Sequence, residues 1–330
     1  MYNKKSIGVI CLFIGISSWA CYVSIITGSS KINNEELQQA NTTEKSQFID
    51  VHYFKTYDNI PSIELKSTDL VIINQVKLNF EKPNGMFFMN NGRKINYTAL
   101  KGNMDTTLDV LTLDGEVFLE DKTTKYYSDH LTYNGKKDLL NANGHVKAFL
   151  VDEKTSDEIE LTSDFLSSQI SSKIITLDGN VVGIVKRKRR YEGNMNFEAQ
   201  NVVVNSPKSQ INLTKDVKLR RNNYYLTAGN AEIFLENFNK KLKYYSLYDD
   251  VKLEEKIELH SGGTQTRRAY AEKLEAHQAT GRVVLSGAPR VEQGDDIIKG
   301  YQITLRENVE LVEVDDSKSS FSLKKDKKNE

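Results

Sequence analysis

A valine that follows a Gly or Asp break recurs through the middle of this chain, and it limits the possible folds more than any other feature. In "VLTLDGEVFLE" (110–120), "IITLDGNVVGIV" (174–185), "INLTKDVKLR" (211–220) and "YSLYDDVKLEE" (245–255), two short alternating runs meet at one Gly or Asp. Alternation with period two marks a strand with one buried face, and Gly or Asp punctuates it. Aligned on the break, the stretches read apolar-x-apolar-x-[Gly/Asp]-x-Val-x-apolar. The valine is Val117, Val146, Val181, Val217 and Val251, at gaps of 29, 35, 36 and 34. A small residue opens a strand between them: Ala99, Ser128, Ser163 and Ala199 each precede the following valine by 18. Later copies drift, to 23 from Ala228 to Val251 and to 20 from Ala271 to Val291. A spacing held four times in succession marks an internal repeat, and strand repeats stack so that each buries its apolar face on its neighbours. An ordinary β-sandwich with coincidental turns is the plainer alternative.

Parity assigns the inward residues. Leu111, Leu113, Val117 and Leu119 share one face in the first copy, and Ile175, Leu177, Val181 and Val185 in another. Leu213, Val217 and Leu219 follow, then Leu247, Val251 and Leu253, with Val291 and Ile303 in the last hairpins. Two such sheets face to face, or rolled into an elongated open jelly roll, give an all-β fold of many short antiparallel strands with an apolar interior. Gly at the break lets the strand kink around that interior. A one-residue slip in register would invert every one of these assignments.

The N-terminus is different. Lys4 and Lys5 precede twenty uncharged residues, 7–26, which as a helix would span roughly 30 Å, one bilayer core. Lysines ahead of a span stay cytoplasmic. The expected layout is a cytoplasmic stretch at 1–6, one transmembrane helix at 7–27, a polar linker at 28–47, β-structure at 48–150 and 151–314, and a flexible tail at 315–330. A cleaved signal peptide ending near Ser18-Trp19-Ala20 is the rival reading. Both cysteines, Cys11 and Cys21, lie in this first segment, so the exported part carries no disulfide and rests on burial and sheet hydrogen bonds. A bacterial periplasm fits, with the anchor in the inner membrane. Lys plus Arg and Asp plus Glu are 45 each, so no global field draws the chain to nucleic acid.

Catalytic and metal-binding patterns are missing. The five histidines, His52, His130, His145, His260 and His277, stand at no metal-ligand spacing, and HExxH, CxxC, GxSxG and P-loop motifs do not occur. Paired acids such as Asp249-Asp250, Asp295-Asp296 and Asp315-Asp316 read as turn residues that cap backbone amides. The expectation is a protein that is not an enzyme, without catalytic residues, metal or cofactor. "KRKRR" (186–190) is the densest charge cluster; it reads as a solvated hairpin end, or more sharply as a patch for phosphates of an anionic glycolipid.

The stretch "LSGAPRVEQGDDIIKGYQITL" (285–305) resembles a recurrent LptA segment, in which a Gly-containing break, Val, Gln-Gly-Asp and an Ile-x-Gly strand follow in order. Upstream, "NIPSIELKSTDLVIINQVKLNF" and "NGRKINYTALKGNMDTTLDVLTLDGEVFLED" are similar to LptC, as is an anchor followed by a polar spacer. The likeness covers roughly Phe48 to Val314 and departs from a lone LptC, which would stop near Leu150. The chain thus looks like an LptC family protein fused to, or extended by, LptA/OstA-like repeats.

The resemblance implies a lipopolysaccharide export protein that shelters acyl chains in a groove lined by the sixteen parity residues above. Its partners would be lipopolysaccharide, the inner-membrane ABC transporter subunits, and an LptA-like protein or LptD-like translocon reached by edge-strand pairing. The N-terminal edge is expected at 51–55 and 63–71, the C-terminal edge at 297–314. A membrane-anchored structural or adhesive β-solenoid with a filled core is the competing reading. An enzyme on a β-helix, such as a polysaccharide lyase, is a further one that lacks its acid-and-base cluster.

Overall fold

The computed structural model describes residues 44–57, 60–89, 92–151, 156–188, 193–221, 223–236, 242–259, 262–277, 279–306, 311–315 and 318–320. The expected cytoplasmic stretch and anchor lie outside them. No helix among the described residues is long and apolar enough to cross a membrane.

These residues form strands only. The first are β1 (Lys45–Tyr57), β2 (Ile60–Ile73), β3 (Lys77–Glu81), β4 (Asn84–Phe88), β5 (Lys94–Thr98) and β6 (Lys101–Asp105). Ten longer ones follow: β7 (Val110–Glu120), β8 (Thr124–Asn134), β9 (Leu139–Val151), β10 (Glu158–Gln169), β11 (Ile174–Lys186), β12 (Met195–Asn205), β13 (Gln210–Arg221), β14 (Tyr224–Leu235), β15 (Leu242–Glu258) and β16 (Thr264–His277). The last are β17 (Arg282–Ser286), β18 (Arg290–Gln293), β19 (Asp296–Lys299), β20 (Gln302–Arg306), β21 (Val312–Asp315) and β22 (Lys318–Ser320). Among the described residues, 44–46 with Ile73–Gln75 form a small unit of their own, in which the Asn74 N–H donates to the Glu44 carbonyl at 3.0 Å. The other unit, Gln47–Ile72 and Val76 onward, holds the remaining strands.

From β7 to β16 each strand pairs antiparallel with the next. Either side of this meander the strands split in two. The first half of β7 pairs β6 and its second half pairs β5, and these continue to β3 and β4. At the far side β16 pairs both β17 and β18, which continue through β20 to β21 and through β19 to β22. Every long strand therefore serves two layers, bending between them, and one buried apolar cluster runs through the space enclosed. This is a two-layer, jelly-roll-like all-β fold.

The bend explains the repeat. In β7 the register shifts between Asp114 and Val117, so that two residues oppose one on β8. Those two, Gly115 and Glu116, both have positive φ, 75° and 48°. The same pair of left-handed residues recurs at 144–145, 179–180, 215–216 and 249–250, two residues ahead of each recurring valine. Across the bend each valine faces a small residue on the next strand: Val117 faces Ser128, Val146 Ser163, Val181 Ala199, Val217 Ala228 and Val251 Ala271. The fold closes tightly there, and a larger partner would not fit. The drift from Ala228 to Val251 has two sources: six residues connect β14 to β15 where four connect β12 to β13, and the strand segments between the small residue and the valine are longer.

Three details correct the sequence expectations. β1 begins at Lys45, so the last residues of the expected linker are strand, and Lys318–Ser320 of the expected tail is β22, tied to β19. β2, with residues 63–71, is not an edge strand, because it pairs β1 on one side and β3 and β4 on the other. Likewise β19 and β20 are paired on both sides, and beyond them β21 follows β20 and β22 follows β19. No break falls at 150–151: β9 and β10 form one continuous ladder there, with Leu150 opposite Ile159.

Candidate functional site

The interior is not filled throughout. Two cavities, of about 280 Å³ and about 360 Å³, lie between the layers and share Tyr126, Leu166, Ile175 and Ser206 in their walls. The smaller is walled by Leu161, Met195 and Phe197 from one layer and by Val202, Val204 and Ile233 from the other. The larger is walled by Met89, Ile95 and Leu119 against Leu131, Leu140 and Ile170. Ala142 and Ala148 contribute to the vacancy, since neither side chain reaches far from its strand. Burial holds the Tyr126 hydroxyl above the usual phenol range; Arg93 lowers it and Asp121 raises it by lesser amounts.

Of the residues assigned inward by parity, Leu119, Ile175, Leu177, Val185 and Leu213 line these two cavities. Leu219 and Leu253 border much smaller voids, of about 10 Å³ and about 20 Å³. Leu111, Leu113, Val117, Val181, Val217, Leu247, Val251, Val291 and Ile303 are at most 1% exposed and belong to the packed cluster. The parity reading missed the walls from the intervening strands, such as Tyr126, Leu161 and Phe197. They sit two residues before Ser128, Ser163 and Ala199, so counting back from each small residue finds them.

Charged residues stand where one layer ends above the cavities. Arg93, just before β5, pairs with Asp121, just after β7. Asp121 also accepts the Thr123 and Thr124 N–H groups at 2.9 Å. Burial pushes its carboxyl up, but Arg93 and these amides more than offset that and hold it below the usual carboxylate range. Arg187, just after β11, reaches Asp157 at 2.6 Å, and Asp157 accepts the Lys188 N–H at 3.0 Å. Within the basic cluster Lys186 pairs with Glu160 at 3.2 Å and faces solvent, whereas Arg187 is half-buried and lines the smaller cavity. Arg189 and Arg190 lie outside the described residues.

Beyond the smaller cavity the apolar interior also holds two polar pairs. Tyr245 donates to Tyr224 at 3.1 Å, hydroxyl to hydroxyl, with both side chains buried. Glu255, opposite Tyr224 on the ladder, pairs with the fully buried Arg267 at 2.6 Å, and Arg267 also donates to the Arg306 carbonyl at 3.0 Å.

The outer face has one arrangement that the sequence alone does not suggest. His130 lies between Asp114 and the Thr132 hydroxyl, the latter at 3.2 Å. Its neighbour Leu131 points into the larger cavity, so this row faces away from it. His145 meets Asp129 at 2.7 Å and His52 meets Glu64 at 2.9 Å. Asp249 accepts the Asn230 side-chain amide at 2.6 Å instead of capping a turn. Among the described residues no three metal-binding side chains converge.

Comparison with known proteins adds two matches. Residues 9–150 match the family model for lipopolysaccharide-assembly, LptC-related proteins. Residues 196–310 match that of the LptA/(LptD N-terminal domain) LPS transport protein. Among solved structures, LptH, the LptA homologous periplasmic component of the conserved lipopolysaccharide transport device from Pseudomonas aeruginosa, is similar at 13% identity. That likeness covers 39% of this chain and 95% of LptH, with a TM-score of 0.35. No curated protein matches the chain.

Proposed function

From a chain that joins an LptC-related segment to an LptA-like segment, we propose a periplasmic bridge component of lipopolysaccharide transport, held at the inner membrane by residues 7–27. It takes acyl chains from the inner-membrane ABC transporter into its interior and passes them towards the outer-membrane translocon. The observation that carries this reading is the pair of abutting apolar cavities between the layers. A filled structural solenoid has no use for them. Each CH₂ kept from water is worth about 0.8 kcal/mol, so a chain of about a dozen carbons in periplasmic water costs on the order of 10 kcal/mol. Walls of Leu, Val, Ile and Phe cancel most of that without covalent chemistry, and the sugars and phosphates stay in water. The chemical step in such a system, nucleotide hydrolysis, belongs to the transporter.

The first and last strands supply the contacts of a bridge. β1 exposes Phe48, Ile49 and Phe54, at 48%, 75% and 55%, and in this reading its outer edge accepts a strand of the transporter's periplasmic domains. At the other end β21 and β22 would continue into an LptA-like or LptD-like partner. A photo-crosslinking residue tests the assignment. At Leu177 or Leu213 it should capture lipopolysaccharide in cells, while at Val217, within the packed cluster, it should not. Absence of adducts at both cavity positions, with the protein folded and present, would remove the transport reading.

A further inference from the structure

The cations above the cavities are arranged in a repeating way that packing alone does not require. Arg93 and Arg187 stand on the same rim of the same layer, each anchored by an aspartate from a neighbouring strand end. The acid is the buried partner in both pairs: side-chain exposure is 7% for Asp121 against 51% for Arg93, and 10% for Asp157 against 20% for Arg187. Each pair thus turns its positive end outward. Each arginine also lines one cavity, Arg93 the larger and Arg187 the smaller. An exposed lysine, Lys188, follows Arg187 in the chain, and across the larger cavity the opposite layer contributes the exposed Lys173 from the turn between β10 and β11. Five strand-to-strand steps, β5 to β7, β8, β9, β10 and β11, separate the two arginines, roughly 24 Å at about 4.8 Å per step.

We infer that this rim is an anion rail: Arg93, and Arg187 with Lys188, hold the phosphate of an acylated, phosphate-bearing amphiphile whose chains occupy the cavity beneath. The inference rests on the reading of the cavities as acyl-chain sites. A guanidinium fixed by a carboxylate on one side presents its remaining face in a set orientation, which suits a phosphate better than a mobile lysine alone. Two stations on one rim let the headgroup change hands while the chains move between cavities that share a wall.

The test titrates the purified whole chain with dodecyl phosphate, with uncharged dodecyl maltoside and with inorganic phosphate. Dodecyl phosphate should bind about tenfold more tightly than the maltoside. The Arg93→Gln/Arg187→Gln double variant should lose that preference and bind the two amphiphiles equally. Inorganic phosphate should neither bind nor displace at the same concentrations. Equal affinity of the unmodified chain for the two amphiphiles would overturn the rail and leave the acyl cavities standing. Displacement by inorganic phosphate would overturn it in favour of a free-phosphate site, and binding of neither amphiphile would remove rail and acyl cavity together. If the double variant does not fold, the unmodified chain decides: from about 50 to about 500 mM salt the preference for dodecyl phosphate should collapse, and a preference indifferent to salt would overturn the rail.

Discussion

The ring of Phe197 occupies the space that a side chain on Gly183 would need: the two face each other on the β11–β12 ladder, and a Cβ on Gly183 would stand 1.9 Å from the ring's Cζ. Phe197 is at the same time a wall of the smaller cavity. Gly183→Ala should therefore push the ring into that cavity. Overpacking of this kind costs about 1–3 kcal/mol, and the cavity should lose capacity for an acyl probe. Thermal melts and binding of dodecyl maltoside measure the two effects. A variant as stable and as capacious as the parent would show that the ring is not held there.

The bends give a pair of substitutions with opposite signs. Gly179 has φ 74° and Lys215, at the equivalent place two strands on, has φ 63°. A left-handed residue with a Cβ costs about 1–2 kcal/mol. Gly179→Ala adds that cost and drives a Cβ to 2.4 Å from Asp164 Oδ2, so it should destabilise. Lys215→Gly removes the strain, offset by the greater freedom of glycine in the unfolded chain, and should stabilise by up to about 1 kcal/mol. Chemical denaturation of both variants checks the signs. Two changes of the same sign would mean that the bends are not equivalent.

These bends also explain what the sequence reveals and what it conceals. Two residues opposing one keep Leu113 and Val117 on the same face, so a single parity carries across each break and finds inward residues correctly on both sides of it. Whether an inward residue meets a neighbour or a gap is another matter. Leu177 borders a cavity while Val181, on the same face of the same strand, is packed. That depends on the residue across the layers and on small side chains such as Ala142 and Ala148, which no one-strand pattern encodes. The rim pairs are hidden for a similar reason. Arg93 and Asp121 are 28 positions apart, and only the hydrogen-bonding of β5 to β7 brings their ends together.

Asp121 makes stability depend on pH in a predictable direction. Its folded carboxyl titrates below the unfolded one, so the folded state binds fewer protons between the two values. The contribution is complete above the ordinary aspartate value, about 3.9, and is lost as pH falls through the lower, folded value. Asp121→Asn removes a charge-assisted bond worth about 1.5–3 kcal/mol at neutral pH. Below about pH 4 the variant and the parent should begin to converge, and they should meet once pH has fallen through the lower, folded value. Urea midpoints measured from neutral to acid pH test this, and a gap that stays constant would exclude the carboxylate as its source.

The buried Glu255–Arg267 pair lies in the interior between β15 and β16, on the ladder next to Tyr224, which bonds Tyr245 hydroxyl to hydroxyl. A desolvated ion pair gains little over well-packed apolar groups, but breaking one leaves a lone charge in a dry site. Arg267→Met alone should therefore cost about 3–5 kcal/mol, and Arg267→Met/Glu255→Leu should recover most of it. The double variant then separates stability from passage. If the polar row is a stop for acyl chains, turning it apolar should carry lipopolysaccharide crosslinks from Leu213 on to Leu253, which borders the small void beside Glu255. A folded double variant whose crosslinks still end at Leu213 would make the row a matter of packing alone, and would place the exit of the acyl chain before Tyr224.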